Sequence, residues 1–338
     1  MMTPTLADSV RLTDEGVLIL DRRNFPFSRE WVLCGTSSEV AKAIEDMVTQ
    51  SSGPYFAALY GMVLAAREAA GLRPHAAYAY MEQAGTRLIR ARSTNNHLRK
   101  AVHAVLSSVS GSGESLVSAA LAGAKAGDEL YRSRSRALGT AAAALLPSEG
   151  GVLTHCWADL YLVELVDAAQ RSGKRLRFFC TETRPYLQGA RLTAETLAEM
   201  GVDTTLISDG MGAAILQSGE VDALVTAADR VTMAGHVINK VGTLGLAVAA
   251  AAFNVPFYAL VQAPDQEART ADDVPLEYRP GEDVLHTLGM RTASDKVRGL
   301  YPAFDVTPPR FVTSIVTDRG PFEPHRIAEY YAEGEPNQ

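Results

Sequence analysis

Cys156 and Asp229 each come directly after an apolar strand-like run, in LTHCWADLY and DALVTAADRV. A thiol and a carboxyl at the carboxyl ends of two strands suit proton transfer: one group accepts a carbon-bound proton and the other manages a proton on oxygen. A lone carboxylate just past a buried strand is costly unless something uses it, and burial would raise its pKa toward a protonated acid at neutral pH. The plainer readings stay open on spacing alone. Cys156 is also compatible with a small buried core residue, and Asp229 with a turn residue or a partner for Arg230. His155 neighbours the thiol, but adjacent strand residues point to opposite faces, which weakens a tuning role.

Asn239 and Lys240 follow ten residues beyond Asp229, in GHVINKVGT, and read as the opening of a helix rich in Ala, Val and Leu that runs to Phe253. A helix start disfavours a cation and welcomes an anion, so Lys240 there suggests a site for an anionic ligand. Asn239 is equally compatible with a plain helix cap and Lys240 with a solvated charge. In TETRPYLQGARLTAE, residues 181–195, Arg184 and Arg191 read as anion ligands or as partners of Glu182 and Glu195, the ion pairs being the safer reading. Gln188 carries no meaning from spacing.

These positions need a frame. From Pro147-Ser-Glu-Gly-Gly151 onward, short apolar runs (GVLTH, RLRFFC, DTTLIS, DALVTA, PFYALV) alternate with helical patterns at 161–170, 192–200, 211–217 and 240–253. That alternation implies a parallel sheet covered on both faces, with ligands beyond the carboxyl ends of the strands. Thr154 to Cys156, Thr181 to Arg184, Asp209 and Asp229 occupy those ends. The first part differs. VLILD and REWVLC predict two short strands within residues 11–35. Helices follow: one capped by Ser37 or Ser38 and running to about Thr49, then 55–70, 78–91, 95–107 and an Ala-rich one at 115–146. The expected fold class is α/β: residues 1–146 form a small sheet plus helix bundle, and residues 147–338 a Rossmann-like catalytic domain. The residues from about Ala332 read as a polar tail.

Composition narrows the partners. With 338 residues and 47% hydrophobic content, the chain can bury a large core. A net charge of −7 argues against nucleic acid. No run reads as a membrane span, and the acidic N-terminus lacks an apolar signal core. Three cysteines without CxxC spacing and seven scattered histidines give neither a disulfide framework nor a metal motif, which fits a reducing cytoplasm. Neither GxGxxG nor GxxxxGK[ST] occurs, so a dinucleotide or P-loop site has no support.

The runs TETRPYLQGARLTAE, AADRV…GHVINKVGT and RTASDK…YPAFDVTPP resemble the methylthioribose-1-phosphate isomerases, from about Val10 to Glu323. That family shares its fold with ribose-1,5-bisphosphate isomerases and the regulatory subunits of translation initiation factor two-B. The resemblance implies aldose-to-ketose isomerisation of a 5-modified ribose 1-phosphate, a place in methionine salvage, no cofactor or metal, and a homodimer. It assigns Cys156 as the thiolate that takes the C2 proton and Asp229 as the acid that opens the ring, with a hydride shift as the competing route. Arg92 (in RARSTNN), Gln188, Asn239 and Lys240 match the family's substrate contacts.

Two departures stand out. Where the family carries an Arg-Gly-Ala-Pro phosphate loop, this chain has Thr49-Gln50-Ser51-Ser52-Gly53-Pro54, leaving Ser51 and Ser52 as hydrogen-bond donors. Losing one charge-assisted phosphate contact costs about 1.5–3 kcal/mol. Where the family has Cys-Asn-Ala-Gly, this chain has Cys156-Trp157-Ala158-Asp159. The alternatives are therefore an isomerase of the same fold with another sugar derivative as substrate, and a non-catalytic sugar-phosphate- or nucleotide-binding subunit. Retention of both Cys156 and Asp229 argues against the second.

Overall fold

The computed structural model describes residues 3–92, 96–110 and 115–332; the expected polar tail beyond Ala332 lies outside them. Contacts divide the chain into two compact units, Thr5–Ser133 and the combination of Met1–Pro4 with Arg134–Gln338.

In the Thr5–Ser133 unit, three antiparallel strands, β1 (Val10–Leu12), β2 (Val17–Leu20) and β3 (Trp31–Cys34), pair in sequence order. Alternation revealed β2 and β3; β1, at three residues, is too short to show a period. Helix α1 (Ser37–Glu45) starts one residue earlier than its serines suggest, because Thr36 is the cap. Thr36 Oγ1 accepts the Glu39 N–H, while the Glu39 carboxylate accepts the Thr36 N–H, a reciprocal capping box. Ser37 instead donates to Glu68. Helices α2 (Gly53–Ala69), α3 (Pro74–Arg90), α4 (Asn96–Val109) and α5 (Leu116–Leu145) follow. The division between units falls inside α5.

The larger unit continues with β4 (Glu149–Thr154), α6 (Leu160–Arg171), β5 (Arg175–Thr181), α7 (Ala194–Glu199), β6 (Asp203–Ile207), α8 (Gly212–Gln217), β7 (Ala223–Ala227), β8 (Arg230–Val231), β9 (Val237–Lys240), α9 (Thr243–Ala252) and β10 (Phe257–Leu260). It ends with β11 (Tyr278–Arg279), α10 (Glu282–Leu285), β12 (His286–Thr287), β13 (Met290–Arg291), β14 (Tyr301–Pro302), β15 (Phe304–Thr307), β16 (Ser314–Thr317) and β17 (Gly320–Phe322). Among the described residues, seven strands form one sheet in the order β17-β16-β10-β7-β4-β5-β6, parallel throughout except β17. The expected α/β architecture, with a parallel sheet after a small sheet and helices, is what the chain forms. Leu153, Leu224, Ala259 and Ile315 from four neighbouring strands share one buried cluster with α9 residues Ala247 and Ala250.

The strand order has one reversal. From β4 the chain steps outward through β5 and β6, then returns to β7 on the other side of β4 and continues through β10 to β16. Connections leave β4 and β7 in opposite directions, and such a switch point opens a crevice at the carboxyl ends of those two strands.

Lys240 does not open a helix. It ends β9, which pairs with β8 on one side and β15 on the other, and α9 begins only at Thr243. The run of small apolar residues gave a correct helix but an early start. Val237 and Ile238 are buried between two partner strands, and Gly242, at φ +110, breaks the path before the first helical turn. The His155 ring lies 3.0 Å from where a Cβ of Gly242 would stand, so a side chain there is excluded both by conformation and by space.

Candidate active site

Cys156 lies just past the end of β4 and Asp229 just past the end of β7, the adjacent parallel strands that flank the switch point. The backbone at this end of the sheet is unusual. Cys156 has φ +65, Asp159 +51, Thr183 +62 and Leu187 +58, all left-handed and none glycine. Such conformations cost about 1–3 kcal/mol each and persist where surrounding bonds over-determine them. Those bonds are present. The Cys156 N–H donates to Thr183 Oγ1 at 2.9 Å, and Thr193 Oγ1 donates to the Cys156 carbonyl. The Asp209 carboxylate accepts the N–H groups of Thr183 and Arg184, each at 2.7 Å. The thiol is thereby clamped by the loop 183–193, which also carries Gln188.

His155 is structural. Its buried ring has Nδ1 2.6 Å from Thr181 Oγ1 and Nε2 2.9 Å from the Val241 carbonyl. A carbonyl can only accept, so Nε2 carries the hydrogen. Burial pushes the imidazole pKa down, so the ring is neutral and Nδ1 accepts from Thr181.

Burial pushes the Cys156 thiol above the ordinary range; Lys240, the Trp157 N–H and Arg279 pull it down, and Asp229 pushes it up again. Lys240, Arg279 and Asp229 therefore all act on this sulfur. Lys240 is buried, its ammonium 4.2 Å from the centroid of the Phe304 ring. Arg279 donates through Nε to Glu277 at 2.6 Å and stands over the rings of Tyr186, Tyr301 and Phe304. Burial opposes its charge, but Glu277 more than offsets that and the guanidinium stays protonated.

Asp229 is exposed, contrary to the expectation that burial makes it a neutral acid. The chain turns outward after β7, and the Asp229 N–H donates to the Ile238 carbonyl at 2.9 Å. Its neighbour Arg230 lies 3.5 Å from Asp265. Asn239 is buried, but it caps nothing through its carbonyl: Nδ2 donates to Thr243 Oγ1 at 3.0 Å. Gln188 is also buried, and its Oε1 has no hydrogen-bond partner. Arg184 follows neither of its two expected roles, because its guanidinium donates to the backbone carbonyls of Pro185, His286 and Val284. It ties the strand-end loop to α10 and β12 instead of holding an anion or an acidic side chain.

Cys156, Asp229, Gln188, Asn239 and Lys240 thus belong to the larger unit, and Ser51, Ser52 and Arg92 to the Thr5–Ser133 unit. Ser51 is exposed at φ +54, and Ser52 is buried immediately before α2. Under this loop lies Arg22, which is 1% exposed and donates to the Gln50 carbonyl at 2.8 Å and to Ser9 Oγ at 2.6 Å. Arg92 is half-buried just past α3, next to residues 93–95 of its RARSTNN motif, which lie outside the described residues. Arg279 had no signal of its own in the sequence, since residues 262–300 lack any periodic pattern, and Tyr301 opens the YPAFDVTPP run without being marked there as a site residue. Among the described residues no three His, Cys, Asp or Glu side chains gather as a metal site, and no helix is long and apolar enough to cross a membrane. A cavity of about 210 Å³ opens among Gln170, Arg175, Phe178 and Val202, where β5 and β6 begin, and carries none of these groups.

Residues 50–324 match the model of the Initiation factor 2 subunit family. The methylthioribose-1-phosphate isomerase of Koribacter versatilis is 36% identical, with 94% of each chain covered. The chain belongs to the initiation factor 2 subunit family, and methylthioribose-1-phosphate isomerases are its relatives there. The crystal structure of 5-methylthioribose 1-phosphate isomerase from Pyrococcus horikoshii superposes with a TM-score of 0.87 at 30% identity, covering 98% of each chain. A translation initiation factor eIF-2B subunit delta from A. fulgidus superposes at 0.84 and 32% identity, covering 94% of this chain and 96% of its own. Membership over nearly the full length makes the protein an enzyme of the isomerase class.

Proposed function

We propose that the protein converts a 5-modified ribose 1-phosphate, of the methylthioribose 1-phosphate type, into the corresponding ribulose 1-phosphate. The observation that carries this reading is the pairing of Cys156 and Asp229 at the ends of β4 and β7, with Lys240 acting on the thiol. A sugar whose anomeric oxygen bears phosphate cannot open by hemiacetal chemistry. The C1–ring-oxygen bond must break as that oxygen is protonated, the role that the family resemblance gives Asp229. Cys156, as thiolate, takes the C2 proton, and the C–H electron pair becomes the second C1–C2 bond of an enol, supplying the electrons that C1 lost when the ring bond broke. Return of a proton to C1 and loss of the O2 hydrogen leaves the ketone. Lys240 and Asn239, consecutive on β9, and Gln188 contact the substrate in the larger unit; in the Thr5–Ser133 unit, Arg92 is a substrate contact by the family resemblance alone, and Ser51 and Ser52 are the hydrogen-bond donors left in the altered loop. The same reading carries a homodimer, a cytoplasmic location and a role in methionine salvage.

One observation favours a variant substrate. Trp157 and Asp159, one and three residues after Cys156, are both buried, and Asp159 holds φ +51 with ψ −135, a conformation that suits glycine. An indole and a carboxylate kept there at such a cost favour a C5 group other than methylthio. The test is NMR detection of ketose from methylthioribose 1-phosphate, ribose 1-phosphate, ribose 1,5-bisphosphate and unphosphorylated 5-substituted riboses. Turnover should vanish in Cys156→Ser and in Asp229→Asn, each still folded. Failure of every sugar would refute the isomerase reading, and activity surviving in one variant would remove that residue from the chemistry.

A further inference from the structure

Tyr301 stands opposite Arg279 across the two-residue antiparallel ladder of β14 and β11. Its side chain is buried at 2% exposure, yet its hydroxyl has no hydrogen-bond partner. Buried tyrosine hydroxyls normally find one, and an unpaired donor away from water works against folding. Suitable groups are at hand but used elsewhere. Tyr186, whose ring meets that of Tyr301 edge-on at 5.8 Å, donates to Asp283. The Arg279 guanidinium, 6.0 Å from the Tyr301 ring centroid, gives its Nε–H to Glu277 and also approaches the Tyr301 oxygen as a donor, so it can never accept the phenol hydrogen.

The phenol is also electrostatically part of the Cys156 site. Burial raises its pKa most, Arg279 lowers it, and Tyr186 and Cys156 raise it further, so at working pH it is a neutral donor. Its neighbours and its orphan hydrogen describe a group waiting for an acceptor.

We propose that Tyr301 donates its hydroxyl hydrogen to an oxygen of the bound sugar, next to the carbon served by Cys156, and that Arg279 strengthens this donor by its charge. No proton changes hands between Tyr301 and the sugar: the bond steadies O2 as the enol loses its O2 hydrogen and charge builds on that oxygen on the way to the ketone. The ligand's identity as a sugar phosphate rests on the isomerase reading; the orphan donor does not.

Tyr301→Phe removes a hydroxyl whose hydrogen has no acceptor within the protein and leaves the Arg279 bond to Glu277 in place. The melting temperature should stay unchanged or rise, and kcat should fall about 100-fold, the scale of a lost oxyanion donor. The pH profile of Cys156 alkylation by iodoacetamide in the ligand-free protein should not move. A kcat within twofold of the parent overturns the proposal. So does a shifted alkylation profile, which would place the hydroxyl on the thiol, or a melting temperature lowered by several degrees, which would make it structural. If the parent isomerises none of the sugars, calorimetric binding of ribose 1-phosphate decides separately. Binding about tenfold weaker in Tyr301→Phe supports the contact; equal binding, or none to the parent, overturns it.

Discussion

Lys240 and Phe304 face one another across the β9–β15 ladder, with the ammonium 4.2 Å from the ring centroid. The negative face of the ring favours a cation there, by up to about 2 kcal/mol when desolvated. The consequence reaches Cys156, because Lys240 is the strongest of the influences that lower its thiol pKa against burial. Lys240→Gln should therefore move the alkylation profile of Cys156 to higher pH, and Phe304→Leu should move it less in the same direction. The parent profile should itself lie alkaline of the ordinary thiol value of about 8.5, and kcat/KM should climb with pH as thiolate forms. A Lys240→Gln profile that overlies the parent would show that its charge does not reach the sulfur.

Asp159→Gly should stabilise the protein. Glycine relieves a conformation that costs about 1–3 kcal/mol, against about 0.5–1 kcal/mol of added backbone entropy in the unfolded chain. The net expectation is about 1 kcal/mol in urea unfolding at pH 7. A destabilised variant would show that the buried carboxylate contributes more than its backbone costs.

Arg22 and Arg23 are adjacent but should differ sharply. Arg22 is fully buried and bonds Gln50 and Ser9, whereas Arg23 is half exposed and pairs with Asp21. Arg22→Met should cost about 3 kcal/mol or more, since two donor bonds from a charged group are lost. Arg23→Met should cost under about 1 kcal/mol. Thermal melts of the two variants make the comparison, and similar losses would contradict the assigned anchoring of the 49–54 loop.

Asp305 gives a pH signature. Its carboxylate accepts the N–H groups of Gly242 and Leu244 at the start of α9, yet burial outweighs these bonds and Lys240 and pushes its pKa up to about 6. The folded state thus holds this proton more tightly than the unfolded chain. The resulting stabilisation is complete below about pH 4 and is lost as pH rises through 6, about 3 kcal/mol in all. The stability difference between parent and Asp305→Asn should shift by about that amount between pH 4 and pH 7, in favour of the variant. A difference constant across that range would rule out the raised carboxyl.

The sheet was legible because β4, β5, β6, β7 and β10 are apolar runs separated by helical patterns and glycine-rich turns. Cys156 and Asp229 were legible as strand ends; spacing alone left them open to core and turn roles, and their proposed catalytic role comes from the family resemblance. The secondary structure at Lys240 was misread, since a strand buried between β8 and β15 and the helix after it share the same apolar composition. The burial of Asp229 was misjudged because strand ends do not announce which way the chain turns. Arg279 and Tyr301 meet through two-residue strands, and a pairing of that length leaves no periodic trace.

The reversal of strand order between β4 and β7 is a property of the backbone alone. A chain that replaced Cys156 and Asp229 with inert side chains would keep the same crevice, the same buried Lys240 and the same clamp of Asp209 on the 183–184 amides. Recognition and conversion are therefore separable inheritances on this frame. On the proposed assignment, catalysis can be gained or lost at loop-end side chains while the strand order that forms the crevice passes on unchanged.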